Sequence, residues 1–165
     1  MSQRLLIVLA AVLLWGCGAG RSKQRSMARM EGRYQLGELP SGWEKQRPGG
    51  ADRAWFNEAL ASTIYTDSNC GRRFQDSSLS DLTTHLTAGI AIGAPLREES
   101  LTIDNRDALL RVYSGQIDGI RLKVSVVVLN KNSCTYDMLY IAPSSTFEGG
   151  WADFVSVISG FQVMG

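Results

Sequence analysis

Histidine occurs once in this sequence, cysteine three times and proline four times. One imidazole, at His85, cannot build a multi-histidine metal centre. A zinc site needs more nitrogen or thiolate ligands than this composition supplies. A nucleophilic hydrolase would need His85 beside a nucleophile and an orienting group. No Gly-x-Ser-x-Gly element appears, and no glycine-rich phosphate loop follows a strand. The expectation is a chain with no catalytic, cofactor-binding or metal-binding residues. Charge of one sign is lacking too, with 17 Lys and Arg against 16 Asp and Glu. The balance is uneven along the chain, and residues 37–165, with 11 basic and 15 acidic side chains, are mildly acidic, which is not a nucleic-acid footprint. No apolar run reaches the roughly 20 residues that a bilayer-spanning helix needs.

What is present begins at the amino terminus. Leu5 to Leu14 are continuously apolar, and Trp15 extends the run before Gly16 and Cys17. A basic start at Arg4, an apolar middle and a small-residue end have the layout of a secretory signal. A buried N-terminal helix is the alternative. The end of the run, Leu14-Trp15-Gly16-Cys17, resembles the lipobox of bacterial lipoproteins. Leu14, Gly16 and Cys17 match that pattern, while Trp15 is bulkier than the usual occupant. The resemblance implies cleavage before Cys17 and attachment of diacylglycerol to its thiol, so that the lipid bilayer is a partner. Ordinary cleavage near Gly18-Ala19-Gly20, giving a free secreted protein, is the competing reading. In a Gram-negative host the lipobox resemblance implies, from Gly18 in place of an aspartate after the cysteine, an outer-membrane location facing the periplasm.

The expected division is therefore a signal peptide over 1–16, a lipidated cysteine with a basic tether over 17–36, and one folded domain over 37–165. The tether carries Arg21, Lys23, Arg25, Arg29 and Arg33 against Glu31. It would be drawn to anionic headgroups by about 1 kcal/mol per basic residue near the surface. A solvated linker is the alternative. With Cys17 used for lipid, Cys70 and Cys134 remain. An oxidising periplasm would let them bond, and two separate buried thiols are the other possibility.

Periodicity sets out an α+β domain. Trp43 is placed in a short first strand and 48–52 in a turn. Residues 53–57 and 61–67 read as a hairpin. Leu79, Leu82, Leu86 and Ile90 fall on one helical face, with Ser77 or Ser78 as cap, Asp81 in the first turn, and Gly93 and Pro95 as the stop. Four strands follow, 96–103, 106–117, 120–129 and 134–142. Asp104-Asn105, Asp118-Gly119 and residues 130–132 join them. The third has Ile120, Leu122, Val124, Val126 and Val128 on one face, and its far end, with Val127 and Leu129, is apolar on both. Trp151, Phe154, Val155, Ile158 and Phe161 form the stripe of a closing helix over 148–161. The sum is an antiparallel meander of about six strands with two main helices packed on it.

The stretches "TIDNRDALLRV", "CTYDMLYIAPSSTFE" and "ISGF" resemble the PsbP-like fold, shared by photosystem extrinsic proteins and the Ran-binding protein Mog. The resemblance implies an antiparallel sheet between helices, an α/β/α sandwich. Small lipoproteins of delta-type proteobacteria look similar. Members of that fold act mostly as accessory or assembly factors, which implies an envelope protein partner and a non-catalytic binding role. A small-ligand or lipid carrier is the alternative.

The remaining polar candidates have structural readings. His85 lies at the edge of the first helix's stripe. Asp104 and Asp107 flank a turn and lack the ligand spacing of a calcium loop. Asp137, inside an apolar strand, marks a cleft, lies on an edge strand, or pairs with Arg72, Arg106 or Arg111. Arg72-Arg73 is an anionic contact or a solvated loop.

Overall fold

The computed structural model describes residues 33–71 and 77–164. Cys17, the leader, most of the tether and the Arg72-Arg73 pair lie outside the described residues. The elements in order are β1 (Tyr34–Gln35), β2 (Glu44–Gln46), β3 (Arg53–Asn57), β4 (Ser62–Cys70), α1 (Leu79–Leu86), β5 (Ala91–Ile103), β6 (Arg106–Ile117), β7 (Ile120–Lys131), β8 (Cys134–Pro143), α2 (Phe147–Ser159) and β9 (Gln162–Val163).

Turn chemistry explains the hairpins. Asp104 and Asn105 both have positive φ, 48° and 59°, and so do Asp118 and Gly119, 49° and 82°. Two residues in that region make the tight turn whose twist matches the flanking strands. The β7–β8 turn is a correction. It is made by Asn132 and Ser133, at φ 51° and 63°, and β7 runs on through Lys131. In α1, Ser78 is the cap. Its hydroxyl accepts the Asp81 N–H at 3.0 Å and donates to the Asp81 carboxylate at 2.8 Å.

Seven strands form the main antiparallel sheet, in the order β2-β3-β4-β8-β7-β6-β5. β5 to β8 are the expected meander, and β8 then pairs with β4 along Thr63↔Ile141 to Cys70↔Cys134. α1 packs on β6 and β7 over Tyr113, Val126 and Val128. α2 packs on the other face, where Val127, Leu129, Tyr136, Met138 and Tyr140 meet Phe154 and Val157. The far end of β7 is apolar on both faces because both are covered. Each fully buried valine or leucine there contributes roughly 1.5–3 kcal/mol. The architecture is an α+β sandwich, an antiparallel sheet with one helix on each face.

Other boundaries differ from the sequence reading. Helix α1 stops at Leu86, because Thr87 turns the chain: its N–H bonds back to Thr83, and its carbonyl accepts the Ala91 N–H at 2.9 Å. Gly93 and Pro95 therefore lie inside β5, in an irregularity between Ile92 and Arg97. Trp43 sits beside β2 and is buried in the core. Phe161 follows α2 and still joins the core. Tyr34 and Gln35, expected in the tether, pair with β9 as Tyr34↔Val163 and Gln35↔Gln162. Tyr34 is fully packed against Tyr136 and Phe161, so the fold begins before residue 37.

Candidate functional site

The structure disperses the polar residues singled out from sequence. His85 is exposed on α1. Arg111 on β6 is committed to its neighbours. Its Nε donates to Glu98 at 2.7 Å, and its terminal nitrogens donate to the Ser80 carbonyl, the Thr83 hydroxyl and the Ser80 hydroxyl at 3.1, 2.9 and 2.9 Å. Asp104 pairs with Lys131 at 2.6 Å and accepts the Val163 N–H at 2.9 Å. Those two bonds hold its carboxyl below the usual aspartate range, the one from Lys131 contributing most. Arg106 and Asp107 are exposed beside that turn. Asp137 is buried on β8, opposite Asp67 of β4. β8 is a central strand, so the edge-strand explanation for Asp137 does not hold. Among the described residues no three His, Cys, Asp or Glu side chains converge as a metal site. Cys70 and Cys134 are joined by a disulfide across the β4–β8 pair.

Open recesses among the described residues include two of note. One, of about 380 Å³, lies between α1 and the irregular start of β5, beside Arg111 and Tyr113. Arg111 donates away from a ligand there, into the α1 backbone and hydroxyls. The other, of about 350 Å³, lies where the described chain begins, and Leu36, Glu38, Leu39, Trp43, Arg53 and Trp55 line it.

This second recess follows from strand alternation. Trp55 lies opposite Ile64 in β4 and opposite Lys45 in β2, so Lys45, Trp55 and Ile64 share the α2 face. Arg53 is two residues away on the same face. Its guanidinium donates to the Tyr34 carbonyl at 2.7 Å and lies 4.6 Å from the centre of the Tyr34 ring. Trp43 donates its indole N–H to Asp153 at 2.9 Å, tying the β2 edge to α2. Below the recess the Tyr34 hydroxyl contacts Thr66 at 2.9 Å and Asp52 at 3.1 Å, and Ser68 donates to the same Asp52 oxygen at 2.5 Å. Burial pushes the Tyr34 phenol well above its ordinary range, with the hydrogen bond from Thr66 opposing. Sequence reasoning passed over this cluster. Its signal was the alternation of aromatic and basic residues, Trp43-Lys45-Arg47 and Arg53-Trp55, on either side of the 48–52 turn.

No protein-family model matches the chain, and no curated protein sequence matches it. Solved structures do match. One is a Pseudomonas aeruginosa protein of unknown function described as a putative regulator. It is 13% identical at a TM-score of 0.53, over 84% of this chain and 88% of that one. PsbP of the cyanobacterium Synechocystis is 14% identical at 0.57, over 79% and 86%. LpqN of Mycobacterium tuberculosis, described as involved in cell envelope biogenesis, is 10% identical at 0.57, over 81% and 86%. At such identities the likeness is one of fold, and it places the chain among proteins of PsbP-like architecture. A shared fold fixes no activity.

Proposed function

We propose that the chain is a lipid-anchored cell-envelope protein whose folded domain docks on another envelope protein and performs no chemistry of its own. The observation that carries this reading is the allocation of its three cysteines. Cys70 and Cys134 are bonded to each other. That leaves Cys17, which directly follows the apolar run and the lipobox-like Leu14-Trp15-Gly16. A disulfide suits an oxidising compartment outside the cytoplasm. A thiol at the end of a leader suits acylation, and two or more acyl chains make anchoring stable. The envelope role of LpqN is consistent with this address. In a Gram-negative host, Gly18 would favour the outer membrane, facing the periplasm.

The non-catalytic part of the reading rests on how the polar candidates are used. Arg111, Asp104 and Lys131 are committed to bonds that hold the fold, and His85 stands apart from them.

Intact mass of the protein extracted from its own membranes tests the anchor. The expected species begins at Cys17 and carries diacylglycerol. An unacylated chain, or one retaining residues 1–16, would overturn the reading. Crosslinking in intact cells tests docking, with one reproducible envelope protein as the expected adduct. A second reading, a carrier of a small ligand or lipid, has the Trp43–Trp55 recess in its favour. Native mass spectrometry of gently purified protein, showing a retained small molecule, would favour it.

A further inference from the structure

We infer that the face carrying Lys45, Arg53 and Trp55 lies on the anionic surface of the bilayer that holds the chain. This rests on the anchor proposed above and adds to it a contact made by the folded domain itself.

Three observations converge on this face. The first is where the chain enters. Arg53 bonds the Tyr34 carbonyl and Leu36 walls the recess, so the described chain begins beside it. Cys17 and Arg33 are 16 positions apart. An extended chain of that length spans at most about 55 Å. The anchor thus keeps this face at high effective concentration near the headgroups, and weak contacts suffice.

The second is charge. Lys45 and Arg47 are exposed and Arg53 is half-buried. Glu44 points to the opposite face, because it pairs with Phe56 while Lys45 pairs with Trp55. Nearby Asp52 accepts bonds from Ser68 and Tyr34, and Asp153 accepts one from Trp43. These neutral donors leave both carboxylates charged, and Glu38 at the recess is a third; Asp52 and Asp153 are half-buried, while the cations Lys45 and Arg47 are exposed. The sequence between Cys17 and Tyr34 is itself basic.

The third is Trp55. It is half-buried, packed on the core from one side and open on the other. An indole beside exposed cations is the side chain favoured at the headgroup level of a membrane. The exposed aliphatic tip Ile117–Ile120 has no aromatic partner of this kind and adjoins Asp118.

The experiment uses the mature chain with Cys17→Ser, so that no acyl chain contributes. It is titrated with vesicles of phosphatidylcholine plus phosphatidylglycerol, and with phosphatidylcholine alone. Binding is expected with the anionic vesicles and is weakened by salt. One cation near such a surface contributes about fivefold. The pair Lys45→Glu and Arg47→Glu, exposed and expected to melt like wild type, therefore lowers affinity by at least about tenfold. Replacing Arg21, Lys23, Arg25 and Arg29 by Gln leaves a residual affinity that this pair then removes. Bromine-labelled lipids quench the indole fluorescence, and Trp55→Phe abolishes most of that quenching while Trp151→Phe does not. The inference is overturned if the Lys45 and Arg47 variants bind as wild type, if the tether accounts for all affinity, or if Trp151 carries the quenching. The mass measurement reports acylation separately, so an acylated chain whose face variants bind normally loses this inference and keeps the anchor.

Discussion

Gly37 and Gly160 lie backbone against backbone where the first described segment crosses the end of α2. A Cβ built on Gly160 would fall inside contact distance of the Gly37 backbone, and one built on Gly37 would overlap the Ser156 carbonyl. The crossing is sealed by the Gly37 N–H, which donates to the Val157 carbonyl at 3.2 Å. Neither obstacle is the movable end of a side chain, so the backbone would have to part.

Gly37→Ala and Gly160→Ala are therefore expected to destabilise the domain by about 2–4 kcal/mol each, in the range of strained or overpacked sites. Gly149→Ala is the control. Its Cβ would meet the flexible tip of Leu60, and the gain in helix propensity offsets the adjustment, for a net change within about 1 kcal/mol. Urea denaturation of the three variants checks the ranking.

The disulfide closes a loop with a sequence separation of 64 residues. By chain entropy that is worth about 4 kcal/mol. Cys70→Ala with Cys134→Ala should lower the stability by roughly that amount and leave the β5–β8 hairpins paired. Denaturation of the double variant, and of wild type with and without reductant, measures it. A loss below about 1 kcal/mol would mean that β4–β8 pairing already restricts the unfolded chain.

Asp104 links a β-turn to the end of the chain through Lys131 and the Val163 N–H. Its folded pKa is depressed, so its stabilisation is fully present above the ordinary aspartate pKa of about 3.9 and fades as pH falls below it. Asp104→Asn tolerates the positive φ but lacks the charge. The expected result is a shallower acid limb in the stability profile and faster hydrogen exchange at the Val163 amide. An unchanged acid limb would contradict the role given to this pair.

Tyr34 behaves in the opposite sense. Burial favours its neutral form and raises its pKa, so its contribution is complete below the ordinary tyrosine pKa of about 10 and declines as pH rises beyond it. Tyr34→Phe should flatten part of the alkaline limb. It should also cost about 1–2 kcal/mol at neutral pH, from the hydroxyl bonds to Thr66 and Asp52. Tyr136 and Tyr140 are shifted upward by burial as well, so a remnant of the limb persists. Guanidinium melts across pH compare the two proteins.

His85 is exposed on α1, and its backbone carbonyl, which accepts the Ala88 N–H, is unaffected by a change of side chain. His85→Ala should alter stability by less than about 0.5 kcal/mol, as ordinary surface changes do. A larger loss in a thermal melt would show that the imidazole holds α1 in place.

Much of this protein was written locally. Asp104-Asn105 and Asp118-Gly119 announced tight turns because few residues accept positive φ. The alternation of Ile120 to Val128, and the apolar end of β7 on both faces, announced a strand covered from two sides. Serine before Leu79 announced a helix start. These signals depend on neighbours a few positions apart, so the chain itself carries them. The pairing of β8 with β4, the disulfide's cross-strand setting, the capture of Tyr34 by β9 and the grouping of Lys45, Arg53 and Trp55 on one face were decided by tertiary structure. Each joins segments far apart in sequence, and the hydrophobic pattern of a strand says which face is buried without saying which strand lies beside it. The end of α1 was misjudged for the same reason. Ile90 continues a helical stripe by spacing, but the demand of β5 for pairing with β6 turns the chain at Thr87 before that stripe is complete.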